Sequence, residues 1–162
     1  MFLEPQELKS AIYGYQLAEI VEITEDDDTN TDIVLMAISA AVEEMKSYLT
    51  PNNQSQWNDG RTRYDVAAIF GATGTGRNPL VLELCKNIAV YYICRLSNVD
   101  IIEEKVKERY DRAIAWLEKV SGTGKSAGGP ALTPGLPTLT IDPESDEAIP
   151  FRFGSREKFN HE

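Results

Sequence analysis

Residues 80–96 are apolar almost all the way round a helix. Leu80, Val81, Leu82, Leu84, Cys85, Ile88, Ala89, Val90, Tyr91, Tyr92, Ile93, Cys94 and Leu96 fall on every side of it. A helix of that kind cannot lie on a surface with one face in water, so it must be enclosed on most sides. It is either the central helix of a bundle or a helix covered partly by another subunit. Its start is written in the sequence: Asn78 can cap it, and Pro79 occupies the first helical position, where a missing N–H costs nothing.

Two amphipathic helices supply material to enclose it. From about Thr31 to Leu49 the apolar positions Val34, Ile38, Ala41, Val42, Met45, Tyr48 and Leu49 step by threes and fours, with Asn30 or Thr31 as cap and Pro51 as stop. The second begins near Asp100-Ile101-Ile102-Glu103, which has capping-box spacing. It continues through Ile102, Val106, Tyr110, Ala113, Leu117 and Val120 and ends at Ser121-Gly122. Residues 5–13 add a short helix opened by Pro5. Residues 50–78 form a long polar connection in which only residues 64–70 look structured. The expected fold is all-α: a small bundle of about four helices with long loops and an extended C-terminal arm.

Composition bounds the rest. The chain of 162 residues with 42% apolar content has room for one domain and a real core. No apolar run approaches the roughly 20 residues that span a bilayer. The first residues lack the basic and apolar regions of a signal peptide, so no membrane association and a cytoplasmic site of synthesis are expected. Cys85 and Cys94, nine positions apart on one helix, stand about 13 Å apart along its axis and are read as buried thiols. The net charge of −10 argues against a protein that grips nucleic acid. No basic residue lies between Lys9 and Lys46, and Glu25, Asp26, Asp27 and Asp28 crowd the middle of that stretch. The plain reading is a solvated loop running into a helix N-terminus, where acid is favoured by the dipole; the sharper one is a surface that repels DNA.

The candidate chemistry fails on inspection. Gly122-Thr123-Gly124-Lys125-Ser126 lacks the first glycine of a phosphate loop, whose position is held by Lys119, and it follows a helix rather than a strand. The glycines of residues 71–76 do not have dinucleotide spacing. The sole histidine is His161, so no positioned Ser-His or Cys-His pair is available. Glu43-Glu44 and Glu103-Glu104 read as solvated helix faces. No enzymatic activity, cofactor or metal is expected.

The last 42 residues differ in kind from the first 120. Residues 121–150 hold 5 of the 11 glycines and 5 of the 8 prolines, and residues 150–162 hold three of the five phenylalanines. Disordered tails are poor in aromatics, so an arm ending in apolar anchors has somewhere to put them. Phe151-Arg152-Phe153 alternates with period two, which in extended chain sets both rings on one side. Such arms join a neighbour's sheet edge or lie in its groove; the plainer alternative is a tail folded back on its own helices. The organisation is thus a helical domain over 1–120, a Gly/Pro-rich linker over 121–150 and an arm over 151–162. Phe151, Arg152, Phe153, Arg156 and Phe159 are the candidate interface residues.

An ordered set of stretches carries a resemblance. It comprises Met1-Phe2-Leu3-Glu4-Pro5-Gln6-Glu7-Leu8, Ala37-Ile38-Ser39-Ala40, Ser47-Tyr48-Leu49-Thr50-Pro51-Asn52-Asn53 and residues 61–70 with Ala72-Thr73-Gly74. Arg77-Asn78-Pro79-Leu80, Arg109-Tyr110-Asp111-Arg112-Ala113 with Trp116-Leu117, and residues 150–162 complete it. In these the chain resembles the Mu-like head–tail connector (head-completion) family of tailed phages, as found in phages and prophages of Bacteroidetes. It departs from the family pattern in the acidic insertion near residues 26–31 and the Gly-rich run at 121–130.

The resemblance implies an all-helical virion protein of the phage neck, assembled in the host bacterial cytoplasm. It would form a homo-oligomeric ring, commonly twelve-fold, between the portal protein and the tail or tail-terminator protein. Double-stranded DNA would pass through the extended channel without specific binding, with Glu25, Asp26, Asp27 and Asp28 as candidate channel or loop residues. Two rivals are a tail-terminator or tail-completion ring protein and a small helical regulatory binding protein.

Overall fold

In a computed structural model, the described residues are 1–12, 27–50, 63–96, 104–122 and 134–139, with 27–32 described as backbone only. They are mostly helical and include no strand. Four α-helices follow one another: α1 Asp27–Leu49, α2 Val66–Gly71, α3 Pro79–Leu96 and α4 Glu104–Ser121. Short 3-10 turns at Pro5–Ser10 and Gly74–Gly76 precede α1 and α3. The all-α expectation is met, and among the described residues no helix is long and apolar enough to cross a membrane.

The central helix is α3. Val81, Leu84, Cys85, Ile88, Ala89, Val90, Ile93 and Cys94 are buried along it, and α1 and α4 pack on it from two sides. Between the two readings the sequence left open, the structure selects a helix enclosed within its own subunit. Only its ends show large apolar groups, Leu80 being 49% exposed and Leu96 41%. Asn78 caps it as its position requires: Oδ1 accepts from the N–H groups of Leu80 at 3.0 Å and Val81 at 3.1 Å. Burial pushes the Cys85 thiol up to about 12. It therefore stays protonated and chemically inert.

α1 starts at Asp27, four residues earlier than its apolar stripe suggests. Asp27 and Asp28 thus belong to its first turn. Val34, Ala37, Ile38, Ala41, Met45 and Leu49 are buried. On α4, Ala113, Leu117 and Val120 are buried, and Gly122 ends the helix at φ 71°, the left-handed conformation that favours glycine there. The proposed cap at residues 100–103 lies outside the described residues.

The segment read as a linker contains an anchor. Tyr64 pairs with Thr138 in an antiparallel bridge, the Asp65 N–H donating to Pro137 O at 2.9 Å and the Leu139 N–H to Arg63 O at 2.8 Å. Leu136 is only 7% exposed and belongs to the core. Tyr64 is buried, and its hydroxyl donates to Val120 O at 3.4 Å, satisfying one of the last carbonyls of α4. Residues 134–139 are therefore part of the helical body, and the spacer expected to run from 121 to 150 is interrupted. The proline-rich composition hid this, because a bridge of one residue pair leaves no period-two pattern.

A polar tie fixes the N-terminus. Arg77 grips Glu7 with two parallel hydrogen bonds, Nη1 to Oε2 and Nη2 to Oε1, both 2.7 Å. The same guanidinium donates to Phe2 O at 2.8 Å and Gly74 O at 3.0 Å. Glu7 also accepts from the Glu4 N–H at 2.9 Å. With its carboxylate held by Arg77 and this backbone donor, Glu7 titrates at about 2. Phe2, Leu3 and Leu8 are thereby seated in the core, with Phe2 edge-on to Phe70 at 5.0 Å.

Two outcomes follow for stability. The Glu7 pKa is depressed from 4.5 to about 2, so its contribution is complete above pH 4.5 and disappears as pH falls toward 2. Glu7→Gln should cost about 1–3 kcal/mol at pH 7, and urea unfolding of variant and wild type should converge between those pH values. A constant difference across that range would show that the ion pair is not its source. Leu136→Ala should cost about 2–3 kcal/mol in the same assay; a loss below about 0.5 kcal/mol, the size of an ordinary surface change, would mean that the 134–139 anchor contributes nothing.

Candidate functional site

The sequence points first to the C-terminal arm and the acidic stretch. Phe151, Arg152, Phe153, Arg156 and Phe159 lie outside the described residues, as do Glu25 and Asp26. Asp27 and Asp28 open α1, so these two belong to a helix rather than to a loop.

The described residues assemble a different polar site, where α1, α3 and α4 meet. α1 contributes Glu44 and Tyr48, α3 contributes Tyr91 and Tyr92, and α4 contributes Tyr110. The α3–α4 pair makes this possible. Tyr91 stands five residues before the end of α3 and Tyr110 six after the start of α4, and they stack with ring centroids 4.0 Å apart and planes 19° from parallel. Helices that reverse direction across a short connection bring such positions level. Tyr92 stands edge-on to Tyr91 at 6.0 Å.

Glu44 is the charged group of this cluster. Its Oε1 accepts from the Tyr110 hydroxyl at 2.8 Å, while its Oε2 is sealed from solvent and has no hydrogen-bond partner among the described residues. Four half-buried tyrosines surround this half-satisfied carboxylate or border it. Burial raises the pKa of Tyr110, and the hydrogen bond to Glu44 and its charge raise it further. Tyr92 is raised by burial first, then by the Glu44 charge and a hydrogen-bonding contact with that carboxylate, and Tyr48 by burial first and then by the charges of Glu44 and Glu118. All three phenols therefore stay protonated at neutral pH and can act as hydrogen-bond donors but not as bases.

By sequence Glu43 and Glu44 look alike, both as solvated helix face. They part company in the structure. Glu43 is exposed and pairs with Lys46 at 2.6 Å. Glu44 is turned inward. The signal was present: Ala37, Ala41, Glu44 and Tyr48 step by four, three and four, which puts a carboxylate within the apolar stripe.

Comparisons with protein-family models, curated proteins and solved structures found no match.

The pair is testable by a double-mutant cycle. Tyr110→Phe strands Oε1 as well and should cost about 1–3 kcal/mol. Replacing both partners, as Glu44→Met with Tyr110→Phe, should recover most of that loss, because no buried polar atom is then left unpaired. The measurement is urea denaturation of the two single variants and the double; strictly additive losses would show that the two groups do not interact.

Proposed function

We propose that this chain is a structural subunit of a tailed-phage neck: a head–tail connector that assembles as a ring between the portal and the tail and extends the DNA channel. What supports this reading is the resemblance of an ordered set of sequence stretches, running over nearly the full length of the chain, to that connector family. The all-helical fold agrees with the fold the resemblance implies.

The physical character of the chain suits the role. A closed ring is built from heterologous contacts, in which one face of a subunit meets a different face of the next. The arm residues Phe151, Arg152, Phe153, Arg156 and Phe159 are the proposed anchors for such contacts. A channel that lets DNA slide should not neutralise phosphate, since each Lys or Arg that does so holds the duplex. A subunit with net charge −10 meets that requirement. In this reading Glu25, Asp26, Asp27 and Asp28 face the channel or its rim, and the protein is a virion component made in the host cytoplasm.

Removal of residues 150–162 should leave a folded subunit, by circular dichroism and thermal melting, that fails to join portal and tail in neck assembly. Electron microscopy of particles complemented with the truncated protein checks this. Fully joined, infectious particles would remove the arm from the mechanism. Cross-linking of the intact chain to the tail tube alone, and never to the portal, would instead favour a tail-terminator.

A further inference from the structure

Among the described residues no donor meets one oxygen of Glu44, Oε2, although the Tyr92 hydroxyl lies close to the carboxylate. One carboxylate oxygen is taken by Tyr110, and the other is sealed without a partner. The cations within reach are otherwise placed. Lys46 is paired with Glu43. Arg95, whose charge is felt by Tyr92, is exposed and makes no ion pair with Glu44. Glu118 adds negative charge on the Tyr48 side. The cluster borders the surface, because Tyr48, Tyr92 and Tyr110 are each only half-buried.

We propose that Glu44, with Tyr48, Tyr92 and Tyr110, seats the guanidinium of an arginine presented by a partner protein. A guanidinium supplies the N–H that Oε2 lacks, in a planar fork matched to a carboxylate. It also stacks on phenol rings, and it sheds water more readily than an ammonium. The long-range field agrees, since a chain of net charge −10 attracts a basic partner and repels a second copy of itself. The guanidinium reaches Oε2 by displacing one half-buried ring, whose face then packs against it. The assignment does not rest on the connector reading; it requires only a surface that offers an arginine.

The test uses the full-length chain and N-acetyl-arginine methylamide, followed by NMR of the Glu44 carboxyl carbon and the tyrosine rings. Saturable shifts of both are expected, with a dissociation constant on the order of millimolar. The norleucine amide should produce none and the lysine amide markedly weaker ones. Glu44→Gln, shown by its melting curve to be folded, should bind about tenfold more weakly. The proposal is overturned if the arginine amide gives no saturable shift, if folded Glu44→Gln binds it undiminished, or if the lysine or norleucine amide binds equally well. The comparison of the three amides is made on wild type and so does not depend on any variant folding.

Discussion

A helix with apolar groups on every side has no stable place at a surface, and that fact about α3 organises the molecule. α1 covers one side of it and α4 another, while the N-terminal turn lies against it as well. The cost of leaving such a helix open is large, since each Leu, Ile or Val buried contributes about 1.5–3 kcal/mol. Small residues let the neighbours come close. Ala37 and Ala41 on α1, Ala89 on α3 and Ala113 on α4 are all fully buried. The bulkier Met45, Ile88, Ile93 and Leu117 fill the space between. The connections then have to close a wrapped helix rather than extend a sheet, which is why the short polar pieces serve as ties.

Two carboxylates show how differently the fold treats the same group. Glu7 is met by a bidentate guanidinium and a backbone N–H, so both of its oxygens hold a donor. Its charge is an asset, and it fixes the entry of the chain onto the core. Glu44 has one donor and one oxygen with none. A half-paired buried carboxylate costs stability, because desolvation is not offset on the unpaired side. Local departures from full satisfaction of this kind are where a fold departs from what packing alone would choose.

How far the sequence could be read follows from the same physics. The period of apolar residues located α1, α3 and α4, and Asn78-Pro79 placed the start of α3 to the residue, because a side-chain cap and a proline act locally. α1 extended back to Asp27 because acidic residues tolerated by the helix dipole carry no apolar period to announce them. The Arg77–Glu7 tie joins positions 70 apart in sequence, and nothing in the spacing of single residues reports such a contact. The Tyr64–Thr138 bridge was hidden for the same reason. Glu44 is legible in principle, as a charged residue at a stripe position, but Glu43 beside it gives the pair the look of solvated surface. The arm, the residues most suggestive of function, is beyond the described residues, so the functional reading stays with the sequence.

The 134–139 anchor changes the geometry open to that arm. A spacer running freely from 121 would allow its aromatic end a reach on the order of 100 Å. With the chain tied to the body at Leu139 through Arg63 O, only residues 140–150 separate the last anchored position from Phe151. Those eleven residues span at most about 40 Å. In the proposed ring, such a radius would favour a socket on an adjacent subunit over one several subunits away. Short tethers also raise the effective concentration of what they carry, since it falls roughly as the −3/2 power of length once the span is met. If the chain assembles as the proposed connector, this bridge would restrict the arm to nearest neighbours and favour their capture, as a closed ring requires.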